Sequence, residues 1–200
     1  GRGRVRIIIF RQADAVILQA YDVAKASPVE GMLYPLLDQS IHVPAYYIYG
    51  LAYDGTRLWV SADGDMSAIL AAADPATGAT EVFTLKYEYF PMGGAYDSLN
   101  RTLWVPMMGV LGDSSIMAVD PRTGPTYQIL GTCGLQVAFD GKLLWVLKAD
   151  RIVGVDPASG EARAVAYLGG PASFSTFTYS NGFLWLLSYE TGSVLSVAIP

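Results

Sequence analysis

Apolar residues along this chain fall in short runs. Stretches such as 7–10, 68–73 and 183–187 are of strand length and are separated by Gly, Pro, Asp and Asn. Their β-branched and aromatic content favours strands over buried helix. None approaches the roughly 18 to 20 apolar residues that cross a bilayer as a helix. The pattern predicts an all-β chain.

The strands recur as a module. Gly50-Leu-Ala-Tyr-Asp-Gly-Thr-Arg-Leu-Trp-Val60 returns as Gly94-Ala-Tyr-Asp-Ser-Leu-Asn-Arg-Thr-Leu-Trp-Val105, as Gln136-Val-Ala-Phe-Asp-Gly-Lys-Leu-Leu-Trp-Val146 and as Phe177-Thr-Tyr-Ser-Asn-Gly-Phe-Leu-Trp-Leu186. The tryptophans at 59, 104, 145 and 185 are spaced by 45, 41 and 40 residues. Tyr53, Phe139 and Tyr179 precede their tryptophans by six residues and Tyr96 by eight, which a two-residue turn insertion at Leu99 and Asn100 explains. A second marker follows the first three copies: Asp74-Pro-Ala-Thr-Gly78, Asp120-Pro-Arg-Thr-Gly124 and Asp156-Pro-Ala-Ser-Gly160. Asp accepts backbone N–H bonds, Pro presets φ, and Gly takes positive φ before the next strand.

Each module therefore reads as strand A, a Tyr-Asp-Gly turn, strand B with Leu-Trp-Val, strand C, the Asp-Pro turn and strand D. In the first full module these fall near 49–53, 57–61, 67–73 and 79–85. Short, evenly spaced strands with one aromatic motif per unit are the mark of a β-propeller of four-stranded antiparallel blades. The units are 2–38, 45–86, 92–130, 135–168 and 172–200, five blades with incomplete or shared ends. In the first, 5–10 is strand B, 14–22 is strand C, and strand D follows Asp22 directly. The last unit stops before strand D. A closed ring places 5–10 beside 193–198; otherwise a longer propeller or a neighbouring chain covers the ends, since open edges invite pairing.

The Gly-Leu-Ala-Tyr-Asp-Gly-Thr-Arg-Leu-Trp-Val strand pair followed by Asp-Pro-Ala-Thr-Gly resembles the NHL, YncE-like and streptogramin-lyase-like group of propellers. The resemblance covers about 45–200 and, more weakly, 5–38. It rests on packing and turn positions, so it implies the fold and says little of function. Members of the group typically have six or seven blades, and they bind proteins, ligands or metals. The lyase-like members look to several histidines at a metal site; this chain has one histidine, and that activity does not carry over.

Composition narrows the function. Charged residues are 16% of the chain against 52% apolar, and the net charge of −5 offers no field for nucleic acid. Arg2, Arg4 and Arg6 alternate at the start and read as protection of an edge strand. The lone Cys133 excludes an internal disulfide framework and reads as a buried structural thiol. Scarce lysine and abundant tyrosine suit an extracellular or cell-surface protein, and a cytoplasmic one as well. His42 reads as a loop residue, without the second histidine of a typical zinc set. Asp63-Gly64-Asp65 lacks the ligand spacing of a calcium loop and reads as a turn. Asp54, Asp97 and Asp140, like Asp74, Asp120 and Asp156, read as turn caps. No catalytic residue, metal site or cofactor is expected.

The A–B and C–D turns are stereotyped, whereas the B–C and D–A connections differ between units. Variable loops on a rigid scaffold carry binding. The candidate residues are Tyr46, Tyr47, Tyr49, Tyr87 and Tyr89 from D–A connections, with Met107 and Met108 from the longest B–C loop, 106–114. Tyrosine and methionine suit adaptable contacts. The sequence points to a non-enzymatic scaffold or protein-interaction propeller, one that self-assembles through edge strands or the variable-loop face. Its partner is another protein or a copy of itself, with no nucleic acid and no membrane span. The alternatives are a carbohydrate or small-molecule binding propeller, and a metal-dependent hydrolase or lyase at the channel mouth.

Overall fold

The structure, a computed structural model, describes residues 5–12, 15–22, 28–29, 32–33, 40–64, 67–85, 89–109, 113–130, 134–148, 150–168, 174–188 and 193–199. Among these there is no helix, and the strands form five antiparallel sheets and one small hairpin. The first sheet holds β1 (Val5–Gln12), β2 (Ala15–Asp22) and β5 (Ser40–Val43), with a hairpin of β3 (Pro28–Val29) and β4 (Met32–Leu33) between β2 and β5. The second runs in order β6 (Tyr47–Tyr53), β7 (Leu58–Gly64), β8 (Ser67–Ala73) and β9 (Thr80–Thr84). In the third, β10 (Tyr89–Pro91) and β11 (Ala95–Asp97) share the inner side of β12 (Thr102–Gly109), followed by β13 (Ser114–Asp120) and β14 (Gly124–Leu130). The fourth is β15 (Gln136–Phe139), β16 (Leu144–Leu147), β17 (Arg151–Val155) and β18 (Ala162–Tyr167), and the fifth is β19 (Phe174–Ser180), β20 (Phe183–Ser188) and β21 (Val194–Ala198).

Sheets consecutive in the chain bury faces against one another. Trp59 shares one apolar cluster with Leu103, Val105, Met117 and Val119 of the third sheet. Trp104 does the same with Leu144, Val146, Val153 and Val155 of the fourth, and Trp145 with Leu184 and Leu186 of the fifth. The tryptophan thus lies on the forward face of its sheet, and the next sheet covers it with aliphatic residues from its B and C strands. Behind the second sheet, Ile41 and Val43 of β5 pack on Val60, Ala62, Ile69, Ala71 and Ala73.

A small residue stands opposite each indole on the neighbouring strand: Ala72, Ala118, Gly154 and Ser196 pair with Trp59, Trp104, Trp145 and Trp185. At Gly154 the reason is explicit, because a Cβ there would come within 3.0 Å of the Trp145 ring.

The A–B turn is tied to the same indole. Asp54 Oδ1 accepts from the backbone N–H groups of Thr56 and Arg57, each at 2.7 Å, while Oδ2 accepts from Trp59 Nε1 at 2.7 Å. Asp140 repeats this with Lys142, Leu143 and Trp145. In the third sheet the longer turn brings Asn100 Nδ2 to Asp97 Oδ2 at 2.7 Å instead, and Trp104 Nε1 is buried without a partner among the described residues. The Asp-Pro turns close as expected: Gly78 and Gly160 adopt φ of 74° and 75°, and their N–H groups donate to the Asp74 and Asp156 carbonyls at 2.8 Å.

Near the axis the inner strands converge. A Cβ on Gly50 would overlap the Gly93 backbone, so glycine at 50 lets β6 approach the third sheet. Gln136 Nε2 donates to the Met92 carbonyl at 2.6 Å and joins the fourth sheet to the third.

Three expectations change. The outer strand of the first sheet is β5, reached after the β3–β4 hairpin, so His42 lies in a strand and not in a loop. Met107 and Met108 belong to β12, because β10 continues the inner ladder past β11 and pairs Pro91 with Met107 and Phe90 with Met108. The ring-closing pair does not form among the described strands: β1 pairs with β2 through a short local connection, and β21 pairs with β20. A local hairpin needs far less loop-closure entropy than joining the chain ends.

Two predictions follow from the turns. Trp59→Phe removes a charge-assisted bond and leaves a buried Asp54 oxygen short of a donor, whereas Trp104→Phe removes none. In urea melts the first should cost roughly 1.5–3 kcal/mol more than the second; equal losses would refute the latch. Burial pushes the Asp54 carboxyl up, but the hydrogen bonds from Trp59, Arg57 and Thr56 outweigh it and hold it below 3.8. Backbone N–H bonds from Ala76 and Ala158 lower Asp74 and Asp156, and Arg122 holds Asp120 at about 2. Depressed carboxyls contribute fully above their unfolded value and lose that contribution as pH falls through the folded one. The urea midpoint should therefore hold down to about pH 4.5 and fall from there towards pH 2, with a shallower fall in Asp54→Asn.

Candidate interaction surface

The fifth sheet repeats the module's alternation, with one face of β20 buried and the other exposed. Leu184, Leu186 and Ser188 of β20 are buried, and the two leucines join the cluster of the fourth sheet. Phe183, Trp185 and Leu187 point the other way and are 39%, 41% and 39% exposed. The ladder places Ala198, Ser196 and Val194 of β21 beside them, with Val194 exposed as well. The Phe183 and Trp185 rings lie 6.0 Å apart at a tilt of 50°. Trp185 Nε1 reaches only the Ser180 carbonyl, at 3.3 Å, because serine replaces the turn aspartate.

Its three counterparts, Trp59, Trp104 and Trp145, are 1%, 4% and 2% exposed. The same residue in the same register is therefore sheltered three times and open once. Among the described residues beside it, Phe183, Leu187, Val194, Ser196 and Ala198, none is charged. Contiguous exposed apolar surface of this kind marks an interaction site.

The sequence-derived candidates separate. Tyr46 and Tyr47 are exposed near the start of β6. Tyr49, on the same strand, faces the central cavity. Burial, with Asp63 and Tyr47 nearby, pushes its phenol up, so it keeps its proton at neutral pH. Tyr89 packs on the cluster between the second and third sheets, to which buried Met107 belongs. Met108 is half-buried. Tyr87 and Cys133 lie outside the described residues. The exposed sheet face was not among the candidates, although Ser180 in place of the turn aspartate marks the fifth module as different.

The central cavity, of about 370 Å³, is lined by the inner strands of the second to fifth sheets. Tyr53, Tyr96, Phe139 and Tyr179, the aromatic that ends each strand A, all border it. Gln136, Thr176 and Thr178 add polar side chains. Asp63 and Gly64, read from sequence as part of a turn, extend β7 and pair with Ala68 and Ser67. Among the described residues no three His, Cys, Asp or Glu side chains come together as a metal set. His42 is exposed on β5.

Four-stranded antiparallel sheets, stacked face to face with their inner strands around one cavity, define a β-propeller. No family model matches the sequence, and no curated protein matches it. Solved structures match in fold. Hydrazine synthase of Kuenenia stuttgartiensis is similar with a TM-score of 0.66 and 14% identity, over 94% of this chain and 65% of that one. A nidogen/laminin complex is similar with a TM-score of 0.45 and 18% identity, over 98% and 89%. This chain thus spans about 65% of the length of the hydrazine synthase chain it matches.

The aromatic border of the cavity generates one test. Tyr96→Ala combined with Tyr179→Ala should lower the unfolding free energy from urea melts by no more than about 2 kcal/mol, since both side chains are only partly buried. A global unfolding would assign them to the core instead of the cavity wall.

Proposed function

We propose that this chain is a non-enzymatic scaffold propeller that binds protein through the exposed apolar face of its fifth sheet. One observation carries the reading: Trp185 is 41% exposed where three equivalent indoles are covered. The residues around it are apolar and held rigid from behind by Leu184 and Leu186, so a partner meets a pre-formed surface and little entropy is lost in ordering it. The tyrosine-rich, lysine-poor composition supports work outside the cell or at its surface. The turn and packing motifs support a place in the NHL and YncE-like group.

A second reading has its own observation. The cavity bordered by Tyr49, Tyr53, Tyr96, Phe139 and Tyr179 combines aromatic faces with hydrogen-bonding groups, a combination that suits a sugar or another small polar ligand. Titration with neutral disaccharides, followed by tyrosine fluorescence, would detect it, and loss of the response in Tyr96→Ala would place the ligand.

The leading reading is tested with a photo-crosslinking amino acid at position 185 in the cells the chain comes from. A discrete protein adduct is expected there and none from Tyr167, which is 76% exposed on β18. Absence of any protein adduct at 185 would remove the reading.

A further inference from the structure

The inner strands shape the central cavity at two levels. Tyr53, Tyr96, Phe139 and Tyr179 each pair with the leucine just before the tryptophan of their module. Gly50, Gln136 and Thr176 pair with Ser61, Leu147 and Leu187, each two residues past that tryptophan. Three residues of extended chain, about 10 Å, separate the levels. The aromatic level lies at the A–B turns, and the other lies towards the variable connections.

At this second level the strands draw together. A Cβ on Gly50 would overlap the Gly93 backbone, and Gln136 reaches across to the Met92 carbonyl, to which its Nε2 donates at 2.6 Å. A carbonyl is met only by the nitrogen end of an amide, so that bond fixes which way the Gln136 group lies. Its Oε1 is left as an acceptor, and no donor reaches it among the described residues. The same oxygen would stand 3.0 Å from a Cβ on Gly93, so glycine there leaves it room. Gln136 lines the cavity, whose volume of about 370 Å³ is that of a small-molecule site.

Charge is missing from the wall. No Asp, Glu, Lys, Arg or His is among the described residues that line the cavity, and Tyr49 is held in its neutral form. A carboxylate brought in would lose its water without meeting a counter-charge, and it would face a fixed acceptor oxygen. A hydroxyl would donate to that oxygen while the apolar face of its ring lies on the aromatic level.

We infer that Gln136 is the specificity-determining residue of the central cavity, its Oε1 accepting from a hydroxyl of a neutral sugar and turning away an acidic one. The inference rests on the reading of the cavity as a sugar site. It adds which sugars enter and which side chain decides.

Calorimetric titration with matched pairs tests this. The methyl glycoside and methyl uronide of glucose differ only at C6, as do those of galactose. The parent chain should bind the neutral member of at least one pair and hold the acidic member about tenfold more weakly or worse. Gln136→Leu, with an unchanged circular dichroism spectrum, should weaken the neutral sugar about tenfold and narrow the gap between the pair. A purely structural role would weaken both members alike and leave the gap as it was, which overturns the inference. Gln136→Met carries the test if Gln136→Leu does not fold. Acidic sugars bound as well as neutral ones, or neutral binding that Tyr96→Ala abolishes and Gln136→Leu leaves intact, would overturn the inference and leave the cavity reading standing. A parent chain that binds none of the four glycosides overturns both.

Discussion

The fold depends on one requirement: a sheet with an indole on its forward face needs another sheet in front of it. Trp59, Trp104 and Trp145 are each closed over by aliphatic residues of the following module. A single four-stranded sheet cannot bury both faces, so stability resides in contacts between neighbours as much as within modules. The small partners Ala72, Ala118 and Gly154 serve the same end, since they stand directly across the ladder from the indole and leave it room. The aspartates of the A–B turns fix its orientation from the edge at Trp59 and Trp145.

Much of this was legible in the sequence. The repeat of Leu-Trp-Val and of Asp-Pro-x-Thr/Ser-Gly located the strands of the second, third and fourth sheets, because turn chemistry and large buried aromatics are local signals. The small residue two places before each Asp-Pro turn was equally visible in Ala72, Ala118 and Gly154, but its purpose depends on which residue lies across the ladder. The bond from Asp54 to Trp59 depends on a turn geometry that spacing alone does not reveal. Asn100 shows why, for two inserted residues were enough to redirect the aspartate of the third module.

What the sequence hid was set by long-range pairing. Asp22 resembles the turn aspartates, yet the strand that completes the first sheet comes at Ser40–Val43, after a separate hairpin. Met107 and Met108 look like loop residues until β10 is seen to extend the inner ladder beside them. The candidate tyrosines were chosen by type and position in variable segments, and their fates diverge: Tyr46 and Tyr47 face solvent, Tyr49 faces the cavity, and Tyr89 is packed between sheets. The open face escaped notice because its residues match those of buried modules. Its exposure is a fact about what stands next to it, and composition does not record that.

A stack whose internal contacts are near-copies of one another needs no specialised joint between any two members. In-frame duplication or loss of about forty codons, the length of one module, would leave every surviving contact with a partner it already fits. Such a gene can drift in copy number with little penalty, and the number of sheets becomes a quantity that selection adjusts by whole steps.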